Sequence, residues 1–217
     1  MKYLISMFFT SAIFAQSSYL NIGINGHGLC FGNPTYHNGI NLSMISRTKI
    51  ANGVSIGLFA ALDSCSNGVK VSCFGSDAGY HNGLVIAGLN IIGKKINGSG
   101  IALWTVSADT MNGAFFAING GVAKWSSRDT VNLINGAAIA ATDVSSKKMN
   151  GFSFSFGFNL FDTINGVSIS LVNRAKVLRG VQFGLINYVA CKRKIFRWMP
   201  FVNFNFKIRE KHPVYSN

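Results

Sequence analysis

The sequence predicts an all-β fold made of repeated units of about 15 residues. A β-solenoid is favoured, with an antiparallel β-barrel of the outer-membrane type as the alternative. Three observations carry this expectation. Asn-Gly pairs recur at a fixed interval: those starting at Asn52, Asn67, Asn82, Asn97 and Asn112 lie 15 residues apart, and so do those at Asn135, Asn150 and Asn165. A constant period over most of a chain marks a repeat architecture. After each pair, apolar residues alternate with small or polar ones, the period of a strand. The composition agrees, since 24 glycines and only 12% charged residues do not suit long helices.

Residues 1–15 read as a secretory signal peptide. Met1-Lys2 gives the positive start, an apolar run follows, and Ala15 is the small residue before Gln16. The run is too short for a membrane helix of about 20 residues. Residues 16–208 form a single β-repeat domain, and 209–217 a basic tail.

Within the domain, each unit after its Gly shows apolar first, third and fifth places, as in Val54, Ile56, Leu58 or Val167, Ile169, Leu171. The second place is mixed (Ser55, Lys70, Val85, Ser168). The fourth is always small (Gly57, Ser72, Ala102, Ser170). Apolar residues belong inside, so the odd places are expected to fill the core, Cys73 among them, with the even places turned outward. A turn former such as Asn90 or Asn173 stands at the seventh place, and an apolar residue such as Ile96 or Met149 precedes the next Asn-Gly. In a solenoid the corner asparagines would stack into ladders that satisfy their own amides, and Gly would supply the sharp corner. In a barrel the same pairs would be hairpin turns. Phe152 to Leu160 and Phe201 to Phe206 have the look of barrel strands. The gap from Asn112 to Asn135 holds an insertion, placed at Asn119-Gly120-Gly121 to Arg128.

The stretch from Val172 to Tyr188, with Arg179-Gly180-Val181-Gln182-Phe183-Gly184-Leu185-Ile186-Asn187 at its centre, resembles a bacterial surface-repeat family whose unit reads N-G-L-Q-I-G-L-I-N. Pro200-Phe201-Val202-Asn203-Phe204 is similar to the closing segment of such proteins. The likeness is sharp over 165–206 and degenerate over 25–160. The insertion near 119–130 and the basic tail depart from it. The resemblance implies an exported, surface-associated protein without an established catalytic role.

No enzyme chemistry is expected. Asp63, Asp77, Asp109, Asp129, Asp143, Asp162 and Glu210 fall in expected turns or the tail, where they read as solvated residues. His27, His37, His81 and His212 read as exposed turn residues. His37 and His81 lie three units apart, about 14 Å at 4.8 Å per step, too far to share a metal. No zinc motif, nucleotide loop or cofactor site is present. Cys30, Cys65, Cys73 and Cys191 allow three pairings, and any disulfide is left open.

The charge is the one lead. Twenty Lys and Arg face seven Asp and Glu, a net charge of +13. Lys192, Arg193, Lys194 and Arg197 form a candidate polyanion site, and Lys94-Lys95 and Lys147-Lys148 would line one edge as a basic stripe. The partners expected are anionic lipid head groups or acidic glycans, in association with a membrane. Nucleic acid is the lesser candidate, through Trp198, Phe201 and Phe204 beside the cluster. The expected role is a non-enzymatic scaffold or adhesion surface, exported to the outer membrane or cell surface. The alternative is an integral barrel acting as a small pore or anchor.

Overall fold

The computed structural model describes residues 19–24, 27–122 and 131–206. The signal-peptide region, the inserted residues 123–130 and the basic tail lie outside the described residues.

The described residues form one 12-stranded sheet in sequence order. Its strands are β1 (Tyr19–Ile24), β2 (His27–Gly32), β3 (Tyr36–Ser46), β4 (Ile50–Ser72), β5 (Gly75–Ala87), β6 (Asn90–Ala102), β7 (Thr105–Ala117), β8 (Val131–Ala140), β9 (Asp143–Ser155), β10 (Phe158–Ile169), β11 (Val172–Val189) and β12 (Trp198–Asn205). From β2 to β11 neighbours run parallel, each unit in register with the next: Asn82 pairs with Asn97 and Asn97 with Asn112. Only β1 on β2 and β12 on β11 are antiparallel, so each end of the stack is closed by a reversed strand. Parallel stacking of successive units is a β-solenoid, and it sets the antiparallel barrel aside.

Each unit makes one coil with two arms. The bend between them is the Asn-Gly pair, where every Gly from Gly39 to Gly180 has positive φ. The arms face each other across a thin interior: Asn159 and Ser168, nine residues apart, meet at 2.9 Å. The expected corner ladder is present. Asn52 Nδ2 donates to Asn38 Oδ1, and the relay continues through Asn67, Asn82, Asn97, Asn112, Asn135 and Asn150 to Asn165 at 2.6–2.8 Å. The bond from Asn135 to Asn112 holds across the insertion. Val122 bridges Val106 and Val144, so the coil is in register on either side of the insertion.

The assignment of faces is reversed. The buried positions are the even places and the residue just before Asn-Gly. Val85, Ala102, Phe115, Ala138, Ser153, Ser168 and Gln182 face inward, with Ile96, Met111, Ile134, Met149, Ile164 and Leu178. The odd-place Leu58, Ile86, Leu103, Phe116, Phe156, Leu171, Phe183 and Leu185 are exposed, and Cys73 with them. The cause is space. A Cβ on Gly57 would come within 2.4 Å of the Ala60 carbonyl oxygen, and one on Gly184 within 2.1 Å of that of Ser170. The invariably small fourth place is therefore the inner wall. Where one coil offers room, the next uses it: Phe115 lies against Gly100, whose Cβ would meet its ring at 3.2 Å.

The interior changes along the stack. Its middle is apolar, from Val85 and Ile91 to Val144 and Met149. Its C-terminal part holds a second ladder, in which Asn159 donates to Asn173 at 3.3 Å and Asn173 to Asn187 at 2.8 Å. Its N-terminal part is polar and contains His37, Asn41, Ser46, Thr48, Asp63, Ser66, Lys70 and His81.

Candidate functional site

Three features could carry function: the C-terminal basic cluster, the outer face of the arm after Asn-Gly, and the buried polar cluster.

The basic cluster follows β11, whose end at Val189 leads into a short turn with one 3-10 segment, Lys194–Phe196. Its four residues divide into two pairs. Lys192 Nζ donates to Asn203 Oδ1 and, at 2.9 Å, to the Phe204 carbonyl oxygen, and it lies 5.9 Å from the Phe204 ring. Burial pushes its pKa down. Arg197 Nε donates to the Lys192 carbonyl oxygen at 3.1 Å. These two side chains fasten the closing strand β12. Arg193 and Lys194 are exposed, next to exposed Ile195, Phe196 and Trp198.

The expected basic stripe is interrupted. Lys95 is in register with Tyr80 on one side and Thr110 on the other, and Lys148 with Leu133 and Thr163. Farther along, Lys176 pairs with Asp162 at 2.9 Å. This face, on the arm before Asn-Gly, is a mixed polar surface with both signs of charge.

The opposite outer face is of another kind. In the ten units from Gly39 to Gly180, no first, third or fifth place is charged, and Ser99 alone carries a hydroxyl. The columns join Leu42 to Ile56, Ile101 to Phe116, Ile139 to Phe154 and Ile169 to Phe183. Phe59, Phe74, Leu89 and Trp104 extend the surface round the second bend, with Phe59 and Phe74 stacked at 5.9 Å. At 3.3 Å per residue and 4.8 Å per strand, the three columns cover roughly 600 Å². That is at the upper end for the largest apolar patch of an ordinary monomer. Sequence reasoning found the residues of the three columns but placed them in the core.

The buried cluster was missed, because Asp63, His37 and His81 read as exposed turn residues. Asp63 and Lys70 side chains are both fully buried and 3.3 Å apart. Asp63 Oδ1 accepts from Ser46 Oγ at 3.0 Å, Thr48 N at 2.9 Å and Thr48 Oγ1. His81 is 1% exposed. Burial first, then the charge of Lys70, pushes its pKa down to about 4.

That shift predicts an acid-sensitive array. Below the ordinary value of 6.5, unfolded chains take up a proton that folded ones refuse. Stability should therefore fall from pH 6.5 to pH 4, by about 3–4 kcal/mol at 1.4 kcal/mol per unit, and then level off for this group. Urea midpoints at pH 7, 5.5 and 4 check this. His81→Ile, which copies Ile96 in the adjoining coil, should remove most of the slope in that window; an unchanged slope would assign the effect elsewhere.

Among the described residues no three His, Cys, Asp or Glu gather as metal ligands, and no helix is long and apolar enough to cross a membrane. The four cysteines are free. No protein-family model, curated protein or solved structure matches the chain. The likeness of residues 172–188 to a surface-repeat unit rests on those residues alone.

Proposed function

We infer that this chain is a non-enzymatic, exported repeat array that lies on the outer-membrane surface as a scaffold, with its apolar face against the lipid. One observation carries the reading: ten successive coils present an uncharged outer face while the opposite face is polar and charged. Soluble surfaces do not sustain such a face without something to cover it. A rigid amphipathic body with aromatic side chains on its dry side suits the boundary between head groups and acyl chains. The second support is Arg193 and Lys194, which stand in water next to Ile195, at 85% exposure, and Trp198. Basic side chains beside exposed apolar ones suit anionic head groups.

Vesicle flotation tests this. The full chain should float with vesicles containing an anionic phospholipid, and less completely with zwitterionic ones. Ile169→Asp with Phe183→Asp should abolish flotation on both at any salt concentration. Arg193→Glu with Lys194→Glu should weaken it only on anionic vesicles, by about thirtyfold or more at low salt, since each basic group near such a surface contributes about 1 kcal/mol. A chain that stays in the aqueous fraction with both vesicle types would defeat the reading.

A further inference from the structure

We propose that Asp63 and Lys70 condense into an intramolecular isopeptide bond that staples the two arms of one coil. The two residues lie on either side of the Asn67-Gly68 bend, and their fully buried side chains meet across the interior with Nζ 3.3 Å from Oδ2. The nitrogen also donates to the Asp77 carbonyl oxygen at 2.9 Å. It therefore rests against the carboxyl group as an ion-pair partner that a second acceptor holds in place.

The other carboxyl oxygen is prepared for negative charge. Ser46 Oγ, Thr48 N and Thr48 Oγ1 all donate to Asp63 Oδ1. Such a set of fixed donors is what an acyl-transfer step needs around the oxygen that becomes an oxyanion. Both reacting groups are held by paired strands, so the reaction is intramolecular and pre-oriented. Burial also disfavours the charged pair, and it pushes the Lys70 pKa down.

The step balances without a cofactor. A proton passes from the ammonium to Oδ2, leaving an amine beside a carboxylic acid. The amine lone pair attacks Cγ, and the displaced electron pair goes to Oδ1. The nitrogen then gives up a second proton, which is delivered to Oδ2. The Cγ–Oδ2 bond breaks and water leaves, and Oδ1 returns to a carbonyl. His81 is the available carrier for that second proton: it is buried and neutral, and it pairs in register with Ser66, which lies between Asp63 and Lys70 in the chain. The product is a neutral amide in place of a buried ion pair, located in the polar end of the stack.

Tryptic mapping of the full chain, denatured before digestion, reads the bond directly. An unlinked chain releases Ile50–Lys70. A linked one resists cleavage at Lys70, so the product runs on to Lys94 with a mass lower by one water, about 18 Da. Unmodified Ile50–Lys70 as the sole product would overturn the proposal. So would a water loss with Lys70 still cleaved, which marks a succinimide. Lys70→Arg removes the nucleophile and should show no water loss. Because that variant can fail to fold, Thr48→Val is the second arm. It keeps both partners and removes one donor, so the linked fraction should form at least tenfold more slowly after synthesis. Equal rates would overturn the mechanism.

Discussion

Gly113→Ala will unfold the middle of the array. Gly113 has φ 129, a backbone conformation that L side chains rarely adopt. A Cβ there would lie 1.7 Å from the Gly98 carbonyl oxygen of the neighbouring coil. That oxygen is main chain, held by strand pairing on both sides, so it has nowhere to go. Backbone strain of about 1–3 kcal/mol adds to the clash. Together they put the loss above about 4 kcal/mol, the range reserved for changes the fold cannot absorb. Coils contact only their neighbours, so damage in the centre separates two half-stacks. Gly75→Ala is the control. Nothing lies closer to its Cβ than the Asn90 carbonyl oxygen at 3.8 Å, and its φ is not positive. It should be neutral or stabilising by about 0.5 kcal/mol. Urea unfolding followed by far-ultraviolet circular dichroism separates the two; similar midpoints would mean that the corners do not stack as described.

Ser168→Asp and Ile169→Asp will differ in the opposite sense to their hydropathy. Ser168 is fully buried. Its Oγ accepts from Ser153 at 3.0 Å and from Asn159 at 2.9 Å, and donates to Asn173 Oδ1 at 2.7 Å. A carboxylate there would replace a hydroxyl donor with an acceptor facing the Asn173 oxygen, in a space sized for Ser. The expected loss is about 3–5 kcal/mol, the cost of an unpaired buried charge. Ile169 points outward, where its cross-strand neighbours are Phe154 and Phe183. Ile169→Asp loses those contacts and should cost about 1 kcal/mol or less. Thermal unfolding of the two variants decides it. A larger loss at Ile169 would put the odd places back in the core.

How far the sequence could be read follows from these residues. The spacing of Asn-Gly pairs made the coil length and corner ladder legible, because a corner needs the same residues every time. The alternation after each Gly made the strand legible. It did not say which side was inside, since a period of two defines two faces and ranks neither. Ranking them by hydropathy failed because the interior is too thin for large side chains at the fourth place, as Gly57 and Gly184 show. That place was visibly small in every unit, and Ile96, Met111 and Met149 before the corner were visibly apolar; taken together they identify the inner wall. The Asp63–Lys70 contact was not legible, because it exists only once the Asn67-Gly68 corner brings the two arms together. The lysines of the spacers kept their shared face, yet Thr110, Leu133 and Thr163 separate them.

The corner ladder also has a direction. Every Nδ2 donates toward the N-terminal coil, so each carbonyl dipole points the other way, and the amides polarise one another along the row. The row ends at Asn165, whose Oδ1 is buried and accepts nothing. The array thus carries a fixed electrical polarity, like that of a helix, with partial negative charge at its C-terminal end. Arg179, a permanent cation, occupies the next rung, in register with Asn165, where a ninth-step asparagine would only have extended the row. Growth by one more coil at that end would need this terminator removed, whereas insertion of whole coils upstream would leave the polarity intact.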